Sequence, residues 1–112
     1  MIDTTKLLRY VGLCRRAGGV VRGADVIAGS LPKSACVLIA SDASERTVKQ
    51  TTDKCRSAGV PCVIIGADKY DLAHAIGASS PCAAVCVLKG KGPANAVRSM
   101  VTAETEDADK TE

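Results

Sequence analysis

The chain has 112 residues, 46% of them hydrophobic and 24% charged, the composition of one globular domain that can bury a core. It holds no run of about 18 apolar residues and no export pattern around Asp3-Thr4-Thr5-Lys6, so membrane insertion and secretion are not encoded and a cytoplasmic location is expected. The net charge of +3 hides an asymmetry: residues 103–112 hold five acids and one lysine, and without them the 15 basic and 12 acidic residues become 14 and 7, a +7 body.

With Asp3 or Thr4 as N-cap, Lys6 to Ala17 reads as a helix with Leu7, Leu8, Tyr10, Val11 and Cys14 on one face and Lys6, Arg9 and Arg16 on the other. Gly18-Gly19 ends it. Val20-Val21-Arg22 is a short strand, and Gly23 opens a brief helix, Ala24 to Ala28, closed by Gly29 and Pro32. Cys36 to Ala40 is apolar without alternation, the pattern of a central strand covered on both faces. Asp42 and Glu45 stand three apart like a capping box, and the helix they start runs to about Ala58 with Val48, Thr52 and Cys55 inward, where Gly59 stops it. Val60 to Ile65 is a second buried strand. Asp68 caps a short helix carrying Leu72, Ala75 and Ile76, and Gly77 ends it. Ala83 to Leu88 is the last strand, and Pro93 starts a final helix with Ala96, Val97, Met100 and Val101. Strands alternating with helices in this order call for an α/β fold, with a largely parallel or mixed four-stranded sheet between two helix layers. Residues 1–102 are expected to form the single domain, and 103–112 an acidic tail with the composition of a disordered end.

Six cysteines (Cys14, Cys36, Cys55, Cys62, Cys82 and Cys86) sit mostly where Val, Ala or Ile would also fit, which favours buried free thiols over disulfides in a chain that does not look secreted. None forms a Cys-x-x-Cys pair, and the one histidine, His74, is distant in sequence from most of them, so neither a metal nor another cofactor is expected. Catalytic signatures are missing too: there is no nucleophile elbow, no Walker loop and no His-Glu-x-x-His. Gly90-Lys91-Gly92 could receive an anion at a helix start, as in a nucleotide enzyme, but position 95 is Asn where a dinucleotide fingerprint needs Gly, and an ordinary turn explains it. Asp42 could hold a metal or substrate, yet it also explains itself as a cap.

A +7 body is the footprint of a polyanion partner, although a plain solvated surface has the same composition. Tyr10 and Tyr70 are the only aromatic rings and neither falls on a predicted strand, so base stacking on a sheet is excluded and recognition by shape, helix ends and loops is left. Two loops fit. Arg22-Gly23-Ala24-Asp25 joins a cation, a flexible backbone and a helix start, while Gly77-Ala78-Ser79-Ser80-Pro81-Cys82 offers small residues that permit close approach.

Gly12-Leu13-Cys14-Arg15-Arg16-Ala17-Gly18-Gly19, Arg22-Gly23, Leu38-Ile39-Ala40-Ser41-Asp42-Ala43-Ser44 and Leu72-Ala73-His74-Ala75-Ile76-Gly77 together resemble the ribosomal-protein L-seven-Ae/L-thirty-e family of kink-turn RNA binders, more narrowly its small bacterial ribosomal-protein-like members. The resemblance spans residues 5 to about 101. It implies a three-layer α-β-α sandwich around a four-stranded mixed sheet, no catalysis, and a kinked RNA with sheared G·A pairs held by the second helix start and the loop before the last strand. Gly23 matches the family's glycine at that helix start with Arg22 before it, residues 77–82 match the loop that meets a flipped-out nucleotide, and Ser41 and Asp42 stand at the intervening strand end. The family carries Asn-Glu and a later lysine after the glycine, whereas this chain reads Ala24-Asp25-Val26-Ile27-Ala28-Gly29.

The expected function is therefore non-enzymatic binding of structured RNA, kink-turn-like or ribosomal, by a cytoplasmic monomer. The expected contacts are Arg22, Gly23, Ala24, Asp25, Lys33, Ser41, Asp42, Gly77, Ala78, Ser79, Ser80 and Pro81. The alternative is a protein-interaction or assembly module on the same fold that has lost kink-turn reading.

Overall fold

The computed structural model describes residues 3–110, with the backbone alone for Ala24 and 104–110. Helix α1 (Thr4–Arg16) starts where the Asp3 carboxylate accepts from the Lys6 amide at 3.1 Å. It buries Leu7, Val11 and Cys14, the i, i+4, i+7 stripe of one helical face, while Leu8 and Tyr10 pack half-buried beside it. Strand β1 (Val20–Arg22) follows, then α2 (Ala24–Ser30) and a 3-10 turn (Leu31–Lys33). Gly29 was expected to close α2 but lies within it, and the stop falls instead in the turn that follows. There Pro32 occupies a first-turn position, where a missing N–H leaves no bond unmade.

Strand β2 (Ser34–Ile39) is buried along its whole length, as its unbroken apolar run predicts. Helix α3 (Glu45–Ala58) is capped by Ser44, whose hydroxyl accepts from the Thr47 amide at 3.2 Å, and ends at Gly59 in the left-handed region. The expected Asp42–Glu45 capping pair is not what starts it. Strand β3 (Cys62–Ile64) also departs from expectation: it is shorter than 60–65 and its Ile64 is 52% exposed. The reason is its position, since β3 pairs with β2 alone and its other edge is unpaired within the sheet. Helix α4 (Lys69–Ala75) is capped by Asp68, which accepts from the amides of Tyr70 and Asp71. Strand β4 (Ala84–Leu88) precedes α5 (Ala94–Lys110). The backbone of 103–110 continues α5.

The sheet order is β1-β4-β2-β3, with β4 antiparallel to β1 and β2, and β2 parallel to β3. It is a mixed sheet. Period-two alternation sends Cys36, Leu38, Val85 and Val87 to one face, against α1, α4 and α5, and sends Val37 and Cys86 to the other, against Ile27, Leu31 and Cys55. Three α-β-α layers result. Complete burial of side chains such as Leu7, Leu38 and Leu72 contributes about 1.5–3 kcal/mol each.

The topology gives the sheet two distinct ends. The Arg22 end gathers the segments after β1, β2 and β3 and the loop before β4. The Lys33 end gathers the segments before β1, β2 and β3 and the turn after β4.

Candidate nucleic-acid interface

Antiparallel pairing sets Arg22 opposite Val85, so the end of β1 meets the loop that leads into β4. The two loops singled out from sequence are thereby brought side by side. Arg22 Nη1 lies 3.5 Å from the Ser80 carbonyl and 3.6 Å from Cys82 Sγ, the long end of hydrogen bonding. Both contacts use Nη1, which leaves donors on Nη2 and Nε for a ligand.

Gly23 is the N-cap of α2 with φ 93° and ψ 133°, a conformation that a residue with a Cβ rarely adopts. It supplies no side-chain cap, so backbone donors of the first turn stay open. Helix α2 has only seven residues, and its dipole is correspondingly small. Asp25 is exposed in that first turn. A carboxylate there repels phosphate and suits base amino groups instead.

The loop from Gly77 is pinned at both ends. Gly77 takes φ 67°, the Ala78 amide donates to the Ala73 carbonyl at 2.9 Å, and the Cys82 amide donates to the Lys69 carbonyl at 3.1 Å. Ser79, Ser80 and Pro81 project as an exposed tip between these anchors. Arg15, from the last turn of α1, stands beside Gly77 and lines a depression with Arg22, Gly77, Ala78 and Ser79. On the opposite side of Arg22, a cavity of about 390 Å³ opens between α2 and α3, lined among others by Gly23, Ile27, Gln50, Lys54 and Cys82.

Ser41 and Asp42 lie at this same end, but in the turn that follows β2, two strands from β1 and so roughly 10 Å across the sheet. Both already tie elements together: the Ser41 amide donates to the Ala67 carbonyl at 2.8 Å, and the Asp42 carboxylate accepts from the Lys69 amide at 2.9 Å. Lys33 is not brought to the group. It ends the turn before β2, at the other end of a strand of six residues, roughly 20 Å away.

Sequence reasoning missed Arg15 and the α3 residues Thr47, Gln50, Thr51 and Lys54. The signal for the α3 set was present, since 47, 50, 51 and 54 share one polar helical face, next to the inward face that the apolar residues mark. Arg15 needed the α1–α4 contact to become visible. All six cysteines are free, and all but the half-buried Cys62 are buried, as their apolar contexts suggest. Gly90-Lys91-Gly92 is a turn packed on α1, where a Cβ on Gly92 would stand 3.1 Å from the Leu13 carbonyl. Among the described residues, no group of three or more His, Cys, Asp or Glu is placed to hold a metal ion, and no helix is long and apolar enough to cross a membrane.

The sequence profile described as the Ribosomal protein L7Ae/L30e/S12e/Gadd45 family matches residues 5–97. No curated protein matches the chain. Among solved structures, the Giardia lamblia 15.5kD RNA binding protein is similar with a TM-score of 0.79 at 25% identity, over 92% of this chain and 87% of that one. A protein of unknown function from Bacillus halodurans C is similar with a TM-score of 0.76 at 25% identity, over 87% of this chain and 97% of that one.

Proposed function

Because the chain belongs to the Ribosomal protein L7Ae/L30e/S12e/Gadd45 family, we propose that it binds structured RNA, kink-turn-like or ribosomal, without catalysing a reaction. The binding surface is the Arg22 end of the sheet: Arg22, Gly23, Ala24, Asp25 and the tip 77–81, joined by Arg15. The observation that carries this reading is the junction of Arg22 with the loop before β4, where a guanidinium with free donors stands between two depressions. Arg22 and Arg15 grip phosphates, while the bare Gly23 backbone allows an RNA strand to approach closely. Asp25 accepts hydrogen bonds from base amino groups, and the cavity beside Gly23 receives a base turned out of the stack. Ser41 and Asp42 support the surface by fixing the ends of β2 and α4 relative to each other.

Gel-shift titration with an RNA duplex containing tandem G·A pairs and a kink, against a straight duplex, tests the reading. Arg22→Ala weakens binding and lowers the log–log salt slope by about 1, and Gly23→Val, checked for folding by its melting curve, abolishes binding. Both variants binding like the parent would overturn the assignment. A protein partner retained on the parent after ribonuclease treatment, with no RNA bound, favours an interaction module on the same fold.

A further inference from the structure

Apart from Arg22 and Arg15, the two ends of the sheet differ in the charge of their connecting segments. The connecting segments at the Arg22 end, residue 23 and residues 40–44, 65–68 and 76–83, contain Asp42 and Asp68 and no Lys or Arg. The segments at the opposite end, residues 17–19, 31–33, 59–61 and 89–93, contain Lys33, Lys89 and Lys91 and no Asp or Glu. Strand pairing is what collects these three lysines. Ser34 is in register with Leu88, and the Lys89 amide donates to the Lys33 carbonyl at 2.9 Å, so their backbones are adjacent. Lys91 stands over Gly19, at the entry to β1, where an added Cβ would overlap the lysine's own Cβ.

Two helices add to the same end. Arg16 is in the last turn of α1, which leads into residues 17–19, and Arg56 is in the last turn of α3, which leads into 59–61. All five side chains are exposed. The acid nearest in sequence to Arg56, Asp53, is exposed and lines a depression together with Lys54.

We propose that this end of the sheet, centred on Lys33, Lys89 and Lys91 and flanked by Arg16 and Arg56, is a second polyanion-binding surface that takes the phosphodiester backbone of RNA. The inference rests on the reading of the protein as an RNA binder, but not on the site assigned at the Arg22 end. Lysines on turns, without base-reading side chains among them, give contacts to phosphate that are independent of sequence. An end of one charge sign also raises the local concentration of a polyanion before docking. With the two surfaces roughly 20 Å apart along β2, one molecule contacts two RNA segments, the second by charge alone.

The test is the salt dependence of RNA binding by the full chain, measured on the same kinked and straight duplexes for the parent, for the triple variant Lys33→Gln, Lys89→Gln, Lys91→Gln, and for Arg22→Ala. The expected result is a log–log slope lower by about 2–3 in the triple variant on both duplexes, with an unchanged melting curve. An unchanged slope there, with Arg22→Ala impaired, overturns this inference and leaves the site at the Arg22 end standing. A lowered slope with Arg22→Ala like the parent overturns that site and supports the second surface. A parent that binds neither duplex at low salt overturns both.

Discussion

Cys36 shows how a single side chain couples the core to pH. It lies on β2 facing α1 and α5, and burial first, then the neighbouring Cys86 and Cys14 thiols, push its pKa from the ordinary value near 9 up to about 12. The folded state therefore holds the neutral thiol where the unfolded chain would ionise. Between about pH 9 and 12 the unfolded state binds fewer protons than the native one, so this residue's contribution to stability is intact below 9 and declines as pH rises. The decline approaches about 1.4 kcal/mol per pH unit inside that window. Thermal melts from pH 8 to 11 on the parent and on Cys36→Val check it. The variant, which fills the site without an ionisable group, should lose stability less steeply with pH, and parallel curves would count against the burial account.

At the scale of the element, α2 carries a correctable weakness. Gly29 is exposed inside the helix, its φ is not in the left-handed region, and a Cβ there would meet nothing within 4 Å. Gly29→Ala should therefore stabilise the protein by about 0.5–1 kcal/mol, read as a higher denaturant midpoint with an unchanged slope. The same glycine explains one misreading, because a glycine signals a stop only when its neighbours leave the helix, and Ser30 does not. Elements were legible where local chemistry decides them: Asp3 and Asp68 cap helices, and the apolar run of β2 marks a strand covered on both faces. Pairing was not legible. Nothing in residues 60–65 says that β3 is an edge, and nothing around Lys33 says that β2 carries it away from Arg22, because both follow from strand order between distant segments. The junction of Arg22 with the 77–82 loop was reachable only through the family resemblance, and Arg15 was not reachable at all.

For the molecule as a whole, the separation of charge along the chain matters as much as its distribution between the ends of the sheet. Net charge is +3 with residues 104–112 and +7 without them, since five acids and one lysine leave together. Helix α5 begins at the Lys33 end and its backbone runs on to Lys110, a rise of roughly 24 Å. At physiological ionic strength charges interact appreciably only within about 8 Å, and at 0.01 M within about 30 Å, which spans this domain. A polyanion approaching the protein at low salt therefore feels the acidic segment as well as the lysines. Ending the chain at Ala103 should raise RNA affinity at low ionic strength, and the gain should shrink as salt is added, with no change in preference between kinked and straight duplexes. Filter-binding isotherms for both chains at two salt concentrations measure this directly. Equal affinities at low salt would show that the segment does not enter the field that RNA meets, whereas a gain confined to the kinked duplex would place it against the Arg22 end.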